Sequence, residues 1–387
     1  MVTATYEHIV IILLVGIIFV GTVVALPAIN HSTFQSIDQQ QLKNTAINVL
    51  NSILLGGGSP TNWGATIPTA VEEFGLAKSS PFSKYVLDSD KVQRINQENP
   101  WHLTREEVQD LLKLQGYKFN FTLYRPFKTI PLLSIDRDNN KIDFGVTVMR
   151  SQDGAPIPNA EVNVTIFMSS LSEDSTSNYG PYTTDSTGHC FDYMTIGPGV
   201  LSVIAIMEIT VGGMSTIVVK QDSYVNLNEF IRIDTAGDII RLSLRTEEME
   251  EETGIPPAER DITNIWAIKS NDRIEISDNI EKITWGKGYE YVEILCEGLS
   301  ELDATALVIR LEVVIPTSSP IEDLPPSIRG RIFPVYICGA LNYDASDEIF
   351  SFGFDTPTET AVAQVRRFVV ISDMTYIAEL GLWKDIL

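Results

Sequence analysis

The sequence is poor in basic residues. Its 387 residues include 28 Lys and Arg against 51 Asp and Glu, which gives a formal net charge of −23. Proteins hold the phosphate backbone of DNA or RNA with clustered Lys and Arg, so this balance excludes a general nucleic-acid binder. Hydrophobic residues make up 44% of the chain, which is enough for packed cores and excludes wholesale disorder. We therefore expect folded domains with an acidic, solvated surface.

Histidine, the commonest metal ligand and general base, is equally scarce. The four histidines stand apart from one another, and none has the spacing of a zinc site; they are His8, His31, His102 and His189. The sequence also contains no P-loop, no GxSxG elbow and no CxxCH haem motif. We expect no cofactor and no enzyme activity. A carboxylate pair distant in the sequence is the catalytic arrangement that these patterns leave open.

Cysteine occurs three times, at Cys190, Cys296 and Cys338. Because three is an odd number, at least one cysteine is unpaired or pairs with another chain. Cys296 and Cys338 both lie on predicted strands of the last domain. In an oxidising compartment they form a candidate disulfide, and the alternative is two buried thiols.

One long apolar run stands at the start of the chain. Residues Ile9–Leu26 are eighteen in number and carry no charge. As a helix the run is about 27 Å long, close to the hydrocarbon thickness of a bilayer. A cleaved signal peptide is the first alternative, but no Lys or Arg precedes the run and Ala25-Leu26-Pro27 is a poor cleavage site. A buried core helix is the second alternative. We expect that the run is a membrane helix that is retained in the protein.

The apolar pattern continues beyond Pro27 with helical spacing. The apolar positions are spaced mostly by three to five residues among polar ones, at Phe34, Ile37, Leu42, Ala46, Val49, Leu50 and Ile53. Gly56–Gly58 then predicts the end of the helix. This stripe packs either on the head of the protein or against neighbouring subunits.

The N-terminal part resembles archaeal type IV pilin-like surface proteins. The shared features are Glu7 just before the apolar run, the amphipathic continuation, the sequence LLGGGSPTNWG at 54–64, and FGLA at 74–77. The resemblance covers roughly residues 1–125 and implies a structural subunit whose helix packs with neighbouring copies. The residues of this chain that the resemblance assigns to this packing are Glu7, Ile9, Ile12, Leu13, Gly16, Phe19, Val20 and Val23.

In such families the glutamate neutralises the terminal amine of a neighbouring subunit. Glu7 is the matching position, and a solvated residue at the membrane edge is its alternative. The sequence departs from the family because no basic and small residue pair precedes Glu7 as a leader cleavage site. The partners implied are the membrane, further copies of the chain and a pilus-type assembly machinery.

Residues 59–128 form a small linking region that combines helix and strand signals. Asp88 or Ser89 predicts a helix cap, and Thr104 with Glu107 forms a capping box. Tyr117–Tyr124 alternates apolar and polar residues, as a half-buried strand does. We expect this region to serve packing and not chemistry.

Residues 129–247 show short alternating strands separated by turns, which predicts an antiparallel sandwich. The candidate strands are Ile142–Arg150, Ala160–Met168, Cys190–Ile196, Val200–Val211 and Thr216–Gln221. The sequences DGAPIPNAEV at 153–162 and TTDSTG at 183–188 resemble Ig-like and transthyretin-like surface modules. That resemblance implies an extracellular spacer or adhesive unit.

An acidic run at Glu247–Glu252, followed by Pro256 and Pro257, predicts a linker, with an acidic interaction tail as the alternative. Residues 248–387 then form a second β-rich domain. Its candidate strands are Asn264–Lys269, Arg273–Ser277, Tyr289–Glu297, Thr305–Ile315, Ile332–Cys338, Glu348–Phe354, Val362–Ser372 and Tyr376–Lys384.

Two further patterns concern single sites, a candidate calcium-binding turn and a set of glycosylation sequons. Asp136, Asp138 and Asn140 begin like a calcium-binding loop, but the turn glycine and the closing glutamate are missing. We therefore expect a plain β-turn and no metal site, with weak calcium binding as the alternative. The glycosylation sequons are at Asn30, Asn120 and Asn163. A chain of this composition contains about three by chance, so they do not indicate a compartment.

The sequence as a whole predicts a mainly β protein, with antiparallel β-sandwich domains on a long membrane-spanning, pilin-like N-terminal helix. We expect a structural protein of the cell membrane and extracellular surface that forms homo-oligomers through residues 1–58. The alternative is a monomeric, membrane-anchored adhesion or binding protein, in which the first helix is only an anchor.

Overall fold

The computed structural model describes most of the chain beyond its N-terminus. The described ranges are 39–67, 70–79, 84–170, 174–197, 199–223, 227–245, 260–269, 272–276, 283–285, 291–314, 331–340, 350–357 and 361–385, together with single positions between them. The predicted membrane helix Ile9–Leu26 lies outside these ranges. Among the described residues, no helix has both the length and the apolar character needed to cross a bilayer.

The helices and strands with described limits follow one another along the chain. The helices are α1 (39–55), α2 (Ser89–Gln93), α3 (Arg105–Leu111) and α4 (Leu299–Leu302). The first strands are β1 (Val86–Leu87), β2 (Tyr117–Tyr124), β3 (Phe127–Asp136), β4 (Lys141–Arg150), β5 (Glu161–Ser170), β6 (Ser175–Thr183), β7 (His189–Thr195), β8 (Val200–Val211), β9 (Met214–Ser223), β10 (Ile231–Ala236) and β11 (Ile239–Leu244). The later strands are β12 (Arg260–Lys269), β13 (Asp272–Glu275), β14 (Ile283–Trp285), β15 (Tyr291–Leu295), β16 (Ala306–Val314), β17 (Ile332–Ala340), β18 (Phe350–Gly353), β19 (Ala363–Ile371) and β20 (Met374–Lys384).

Helix α1 packs on a five-stranded sheet, called sheet A, with the order β1-β19-β20-β2-β18. All pairs in it are antiparallel except β1 with β19. The apolar stripe of α1 is buried at Leu42, Ala46, Val49, Leu50, Ile53 and Leu54. Strand β2 contributes Phe119, Phe121 and Leu123 to the same core. The stripe of α1 therefore packs on the protein's own head.

The middle of the chain is an antiparallel sandwich. Sheet B has the order β3-β4-β7, and sheet C has the order β6-β5-β8-β9. Alternate residues of both sheets fill the space between them, among them Phe144, Val146, Ile166 and Val203. The strands of this sandwich cover Phe127–Ser223, whereas the sequence pattern predicted a sandwich over residues 129–247.

The last strands form a second sandwich. Sheet D contains β13-β12-β16-β17 with β14 beside β12, and sheet E contains β10-β11-β15. The core between them includes Ile240, Leu242, Ile265, Leu307 and Ile309. The sequence pattern placed β10 and β11 in the middle domain, but their partner is β15, so they belong to this second sandwich.

Sheets C and D also pack on each other. Phe167 on β5 contacts Trp266 on β12 and Tyr336 on β17, with ring centroids 5.9 and 6.1 Å apart. The Ser169 hydroxyl donates to the carbonyl of Pro334 at 2.8 Å. Arg310 binds Asp174 across the same junction, with 2.5 Å between Nε and Oδ2. Both faces of the central strands of sheets C and D are therefore covered, which explains the nearly continuous apolar sequences of β5, β8 and β16.

The chain divides differently from the predicted 59–128 and 248–387 regions. Strand β2 pairs along its whole length with β20, from Tyr117 opposite Lys384 to Tyr124 opposite Ile377. The C-terminal hairpin β19–β20 thus completes the sheet on which α1 lies. Residues 350–385 belong with the N-terminal unit and not with the second sandwich, because β2 and β20 present matching apolar faces to α1.

Candidate functional site

The residues predicted for helix packing lie outside the described residues. These are Glu7, Ile9, Ile12, Leu13, Gly16, Phe19, Val20 and Val23, and the sequon at Asn30 lies there as well. The part of this helical region that can be described is α1. Its exposed residues are mostly polar, with Gln40, Lys43, Asn44, Asn48 and Ser52, and Leu55 is exposed at its end.

The two sequence stretches that carry the pilin-like resemblance contact each other directly. The backbone N–H of Ala77 donates to the carbonyl of Gly56 at 2.9 Å. The backbone N–H of Ser59 donates to the backbone carbonyl of Glu73 at 3.0 Å. A Cβ on Gly75 would lie 2.2 Å from the Gly56 carbonyl oxygen. Only glycine at this position permits so close an approach of the two backbones.

Trp63 is the centre of this contact. Its ring is fully buried, and its indole N–H donates to the carbonyl of Gly75 at 3.1 Å. Gly58 adopts a positive φ of 71°, and a Cβ there would lie 2.6 Å from the indole nitrogen. The glycines and the tryptophan of residues 54–64 thus form one packed corner behind α1.

Lys91 on α2 is the polar anchor of this corner. Its side chain is fully buried, and its ammonium group donates to the carbonyls of Gly57 and Ala77, both at 2.9 Å. The Asp88 carboxylate lies 3.6 Å from the same nitrogen and also caps α2. Burial lowers the pKa of Lys91, and Asp88 opposes that shift by stabilising the charged form.

Arg94 holds the opposite side of the same corner. Its guanidinium donates through Nε to the carbonyl of Trp101 at 3.0 Å and through Nη1 to the carbonyl of Trp63. It also lies 5.5 Å from the centre of the Trp63 ring. Burial lowers its pKa. Two buried cations therefore satisfy backbone carbonyls that no strand or helix partner reaches.

Asp90, next to Lys91, faces the turn between β10 and β11. It accepts a hydrogen bond from the backbone N–H of Gly237, and burial raises its pKa to about 7. The carboxylates of Asp88, Asp238 and Asp303 raise the pKa further. This carboxyl group therefore couples the N-terminal unit to sheet E.

The neighbouring acids at this junction have partners of their own. Asp238 accepts hydrogen bonds from the backbone N–H and the hydroxyl of Ser300. Asp303 pairs with Lys78, with 2.8 Å between Nζ and Oδ2. These bonds fix the carboxylates in place around Asp90, so the acidic group is a structural junction and not an open cation site.

The weak calcium candidate at Asp136, Asp138 and Asn140 lies at the turn between β3 and β4. The Asp136 carboxylate accepts hydrogen bonds from the backbone and side-chain nitrogens of Asn139 at 3.0 and 2.7 Å. These bonds lower its pKa. Within the described ranges, no three His, Cys, Asp or Glu side chains are grouped in a way that could hold a metal ion.

The candidate disulfide between Cys296 and Cys338 is not formed, and both residues are free thiols, as is Cys190. Cys296 packs in the core between sheets D and E. Cys338 packs on the other side of sheet D, in the cluster that includes Trp266. The sequence pattern placed both on strands of one domain, but it could not show that they lie on opposite sides of a sheet.

Two of the glycosylation sequons fall on strands. The Asn120 side chain on β2 donates to the Ser351 hydroxyl at 3.0 Å and to the Phe354 carbonyl at 3.2 Å, which ties β2 to β18. Asn163 lies on β5, opposite Glu208 of β8. Asn120 therefore has a structural use that its sequon did not indicate.

The outer face of sheet B is an exposed apolar surface. Its exposed members are Ile130 and Leu132 on β3 and Phe191 and Tyr193 on β7, each about half exposed. A groove of about 520 Å³ lies between β7 and the edge strand β6, lined by Tyr182, His189 and Phe191 among others. Sequence patterns indicated β7, but they did not show which of its faces stays uncovered.

Comparison with known proteins leaves the family open. No protein-family model matches the sequence, and a search of the curated proteins finds no match. The chicken interferon gamma receptor alpha chain is similar over 56% of this chain and 98% of its own, with 8% identity and a TM-score of 0.17. E. coli alpha-2-macroglobulin is similar over 63% of this chain and 18% of its own, with 9% identity and a TM-score of 0.22. These scores are too low to indicate a shared family or function.

Proposed function

We propose that this chain is a structural, pilin-like cell-surface subunit that assembles through its N-terminal helical region into an extracellular filament or surface array. The observation that carries the proposal is the packing of α1. One face of α1 is buried on sheet A, while its other face stays exposed. In the sequence, the apolar segment Ile9–Leu26 precedes this helix. A helix fixed in this way presents its free face at the side of a β-rich head.

The charge distribution supports assembly through this helix. Residues 39–71 contain no Asp or Glu, although the chain has 51 of them. Two copies with a net charge of −23 repel each other, and the repulsion is weakest where acids are absent. The stretch 39–71 is therefore a part of the surface where neighbouring subunits approach at a low electrostatic cost.

A monomeric, membrane-anchored binding protein is the second candidate. The exposed apolar residues on the outer face of sheet B favour it, because exposed apolar patches mark interaction sites. In that case Ile9–Leu26 is only an anchor, and the head carries the function.

Glu7→Ala separates these two proposals. We expect the variant to abolish filaments or surface arrays, because an apolar filament core does not tolerate an uncompensated terminal amine. Negative-stain microscopy of shed surface material from cells that produce the full chain gives the measurement. The thermal midpoint of the purified variant should equal that of the wild type.

Glu297→Ala is the matched control, because Glu297 is an exposed glutamate outside the helical region 1–58. It should leave assembly intact. Wild-type cells without filaments under several growth conditions, or a Glu7→Ala variant that assembles normally, would contradict the proposed function and favour the anchor.

A further inference from the structure

The two edges of sheet B differ in their protection against strand addition. Strand β3 carries Pro131 in its middle and the exposed Lys128, and both residues hinder the addition of another strand. Strand β7 carries neither proline nor lysine. Among the described strands, β4 is the one that pairs with β7, so the other edge of β7 is open.

Hydrogen bonds at His189 show which backbone groups lie at this open edge. The His189 N–H donates to the Asp185 carboxylate, and its carbonyl accepts from the Asp185 N–H. The backbone N–H and C=O groups of His189 therefore point away from β4. Because backbone direction alternates along an antiparallel strand, Phe191 and Thr195 also present their N–H and C=O groups to the open edge. Tyr193 presents its C=O there, while its N–H donates to the Asp192 carboxylate at 2.8 Å, a bond that strand pairing would replace.

The side chains on this edge are apolar and uncovered. Phe191 is 58% exposed and Tyr193 is 57% exposed, and both lie on the outer face of sheet B. The groove beside Phe191 leaves room next to the strand. An open edge with exposed aromatic residues favours pairing with another strand, since cross-strand aromatic contacts add to the backbone bonds.

The charges on this face favour a second copy of the chain. By strand alternation the outer face of sheet B carries Lys128 and Lys141 against Asp136 and Asp143, so its formal charge is zero. Lys141 pairs with Asp143 at 2.6 Å and lies 4.4 Å from the Tyr193 ring centre. On a chain with a net charge of −23, a neutral face lets two copies meet without local repulsion.

We propose that β7 pairs antiparallel with β7 of a second copy across a two-fold axis, which joins two copies of sheet B into one six-stranded sheet. An antiparallel edge is complementary to itself under two-fold symmetry. The Asp185–His189 turn covers the start of the edge, so pairing centres on Tyr193. Tyr193 then lies opposite its own copy, Phe191 lies opposite Thr195, and Asp192 lies opposite Met194.

Phe191→Asp tests this pairing, with Phe368→Asp as the matched control. Phe368 is 60% exposed on sheet A, so both variants place a charge on an equally exposed position. Light scattering of the full chain in detergent, over a range of concentrations, measures self-association. We expect dimers for the wild type and the control, and a dissociation constant raised at least about tenfold for Phe191→Asp.

Disulfide trapping tests the register. A hydrogen-bonded antiparallel pair places its Cα atoms about 5.5 Å apart, which suits a disulfide. We expect Tyr193→Cys to form covalent dimers under mild oxidation and Phe368→Cys to form none. Equal trapping of both variants, or association unchanged by Phe191→Asp, would overturn the proposal. Both tests are repeated in a Glu7→Ala background, which removes helix-driven assembly and so keeps this inference separate from the proposed function.

Discussion

Lys91→Met is expected to lower the free energy of unfolding by about 3–5 kcal/mol, the usual cost of breaking a buried charged contact. Methionine fills much of the same space but donates no hydrogen bond. The carbonyls of Gly57 and Ala77 would stay buried without their donor, and Asp88 would lose its nearest cation. Each unsatisfied buried group costs about 1–3 kcal/mol. Urea or thermal unfolding of the full chain in detergent measures the loss.

Lys220→Met is the control for this experiment. Lys220 is an exposed lysine on β9, and its replacement should change the unfolding free energy by less than about 0.5 kcal/mol. A loss below about 1 kcal/mol for Lys91→Met would show that the ammonium group does not hold the corner together.

The importance of Lys91 could not be predicted from the sequence. The sequence left Asp88 or Ser89 as the cap of α2, and the structure has Asp88; a lysine three residues after a cap usually faces solvent. Its burial depends on carbonyls 34 and 14 residues earlier in the chain. Gly56–Gly58 predicted the end of the helix, but a short-range pattern does not identify the distant side chain that packs against these glycines.

Strands were far easier to predict than their partners. The alternation in Thr305–Ile315 identified β16, and its Leu307, Ile309 and Leu311 do face one core. Val308 on the other face is buried too, because sheet D also packs on sheet C. Alternation gives the two faces of a strand, but it does not tell which distant strand lies beside it. The pairing of β2 with β20 was missed for this reason.

Asp90→Asn is expected to stabilise the protein above neutral pH. The folded-state pKa of Asp90 is raised to about 7 from an ordinary value of 3.8, so the folded state holds a proton that the unfolded chain releases between these values. The wild type therefore loses stability as the pH rises from about 4 to about 7. The neutral asparagine avoids this loss and can still accept the hydrogen bond from Gly237.

The size of the effect follows from the pKa difference. A shift of about three units corresponds to about 4 kcal/mol at full ionisation, so we expect a gain of about 2–4 kcal/mol for Asp90→Asn at pH 8 and none at pH 4. Unfolding curves of variant and wild type at both pH values measure it. Asp138 is exposed, so the control Asp138→Asn should leave the free energy of unfolding unchanged at both pH values. Because Asp90 contacts the turn between β10 and β11, amide exchange at Gly237 should slow in the variant at pH 8. A gain of equal size at pH 4 and pH 8 would mean that the ionisation of Asp90 does not weaken this junction.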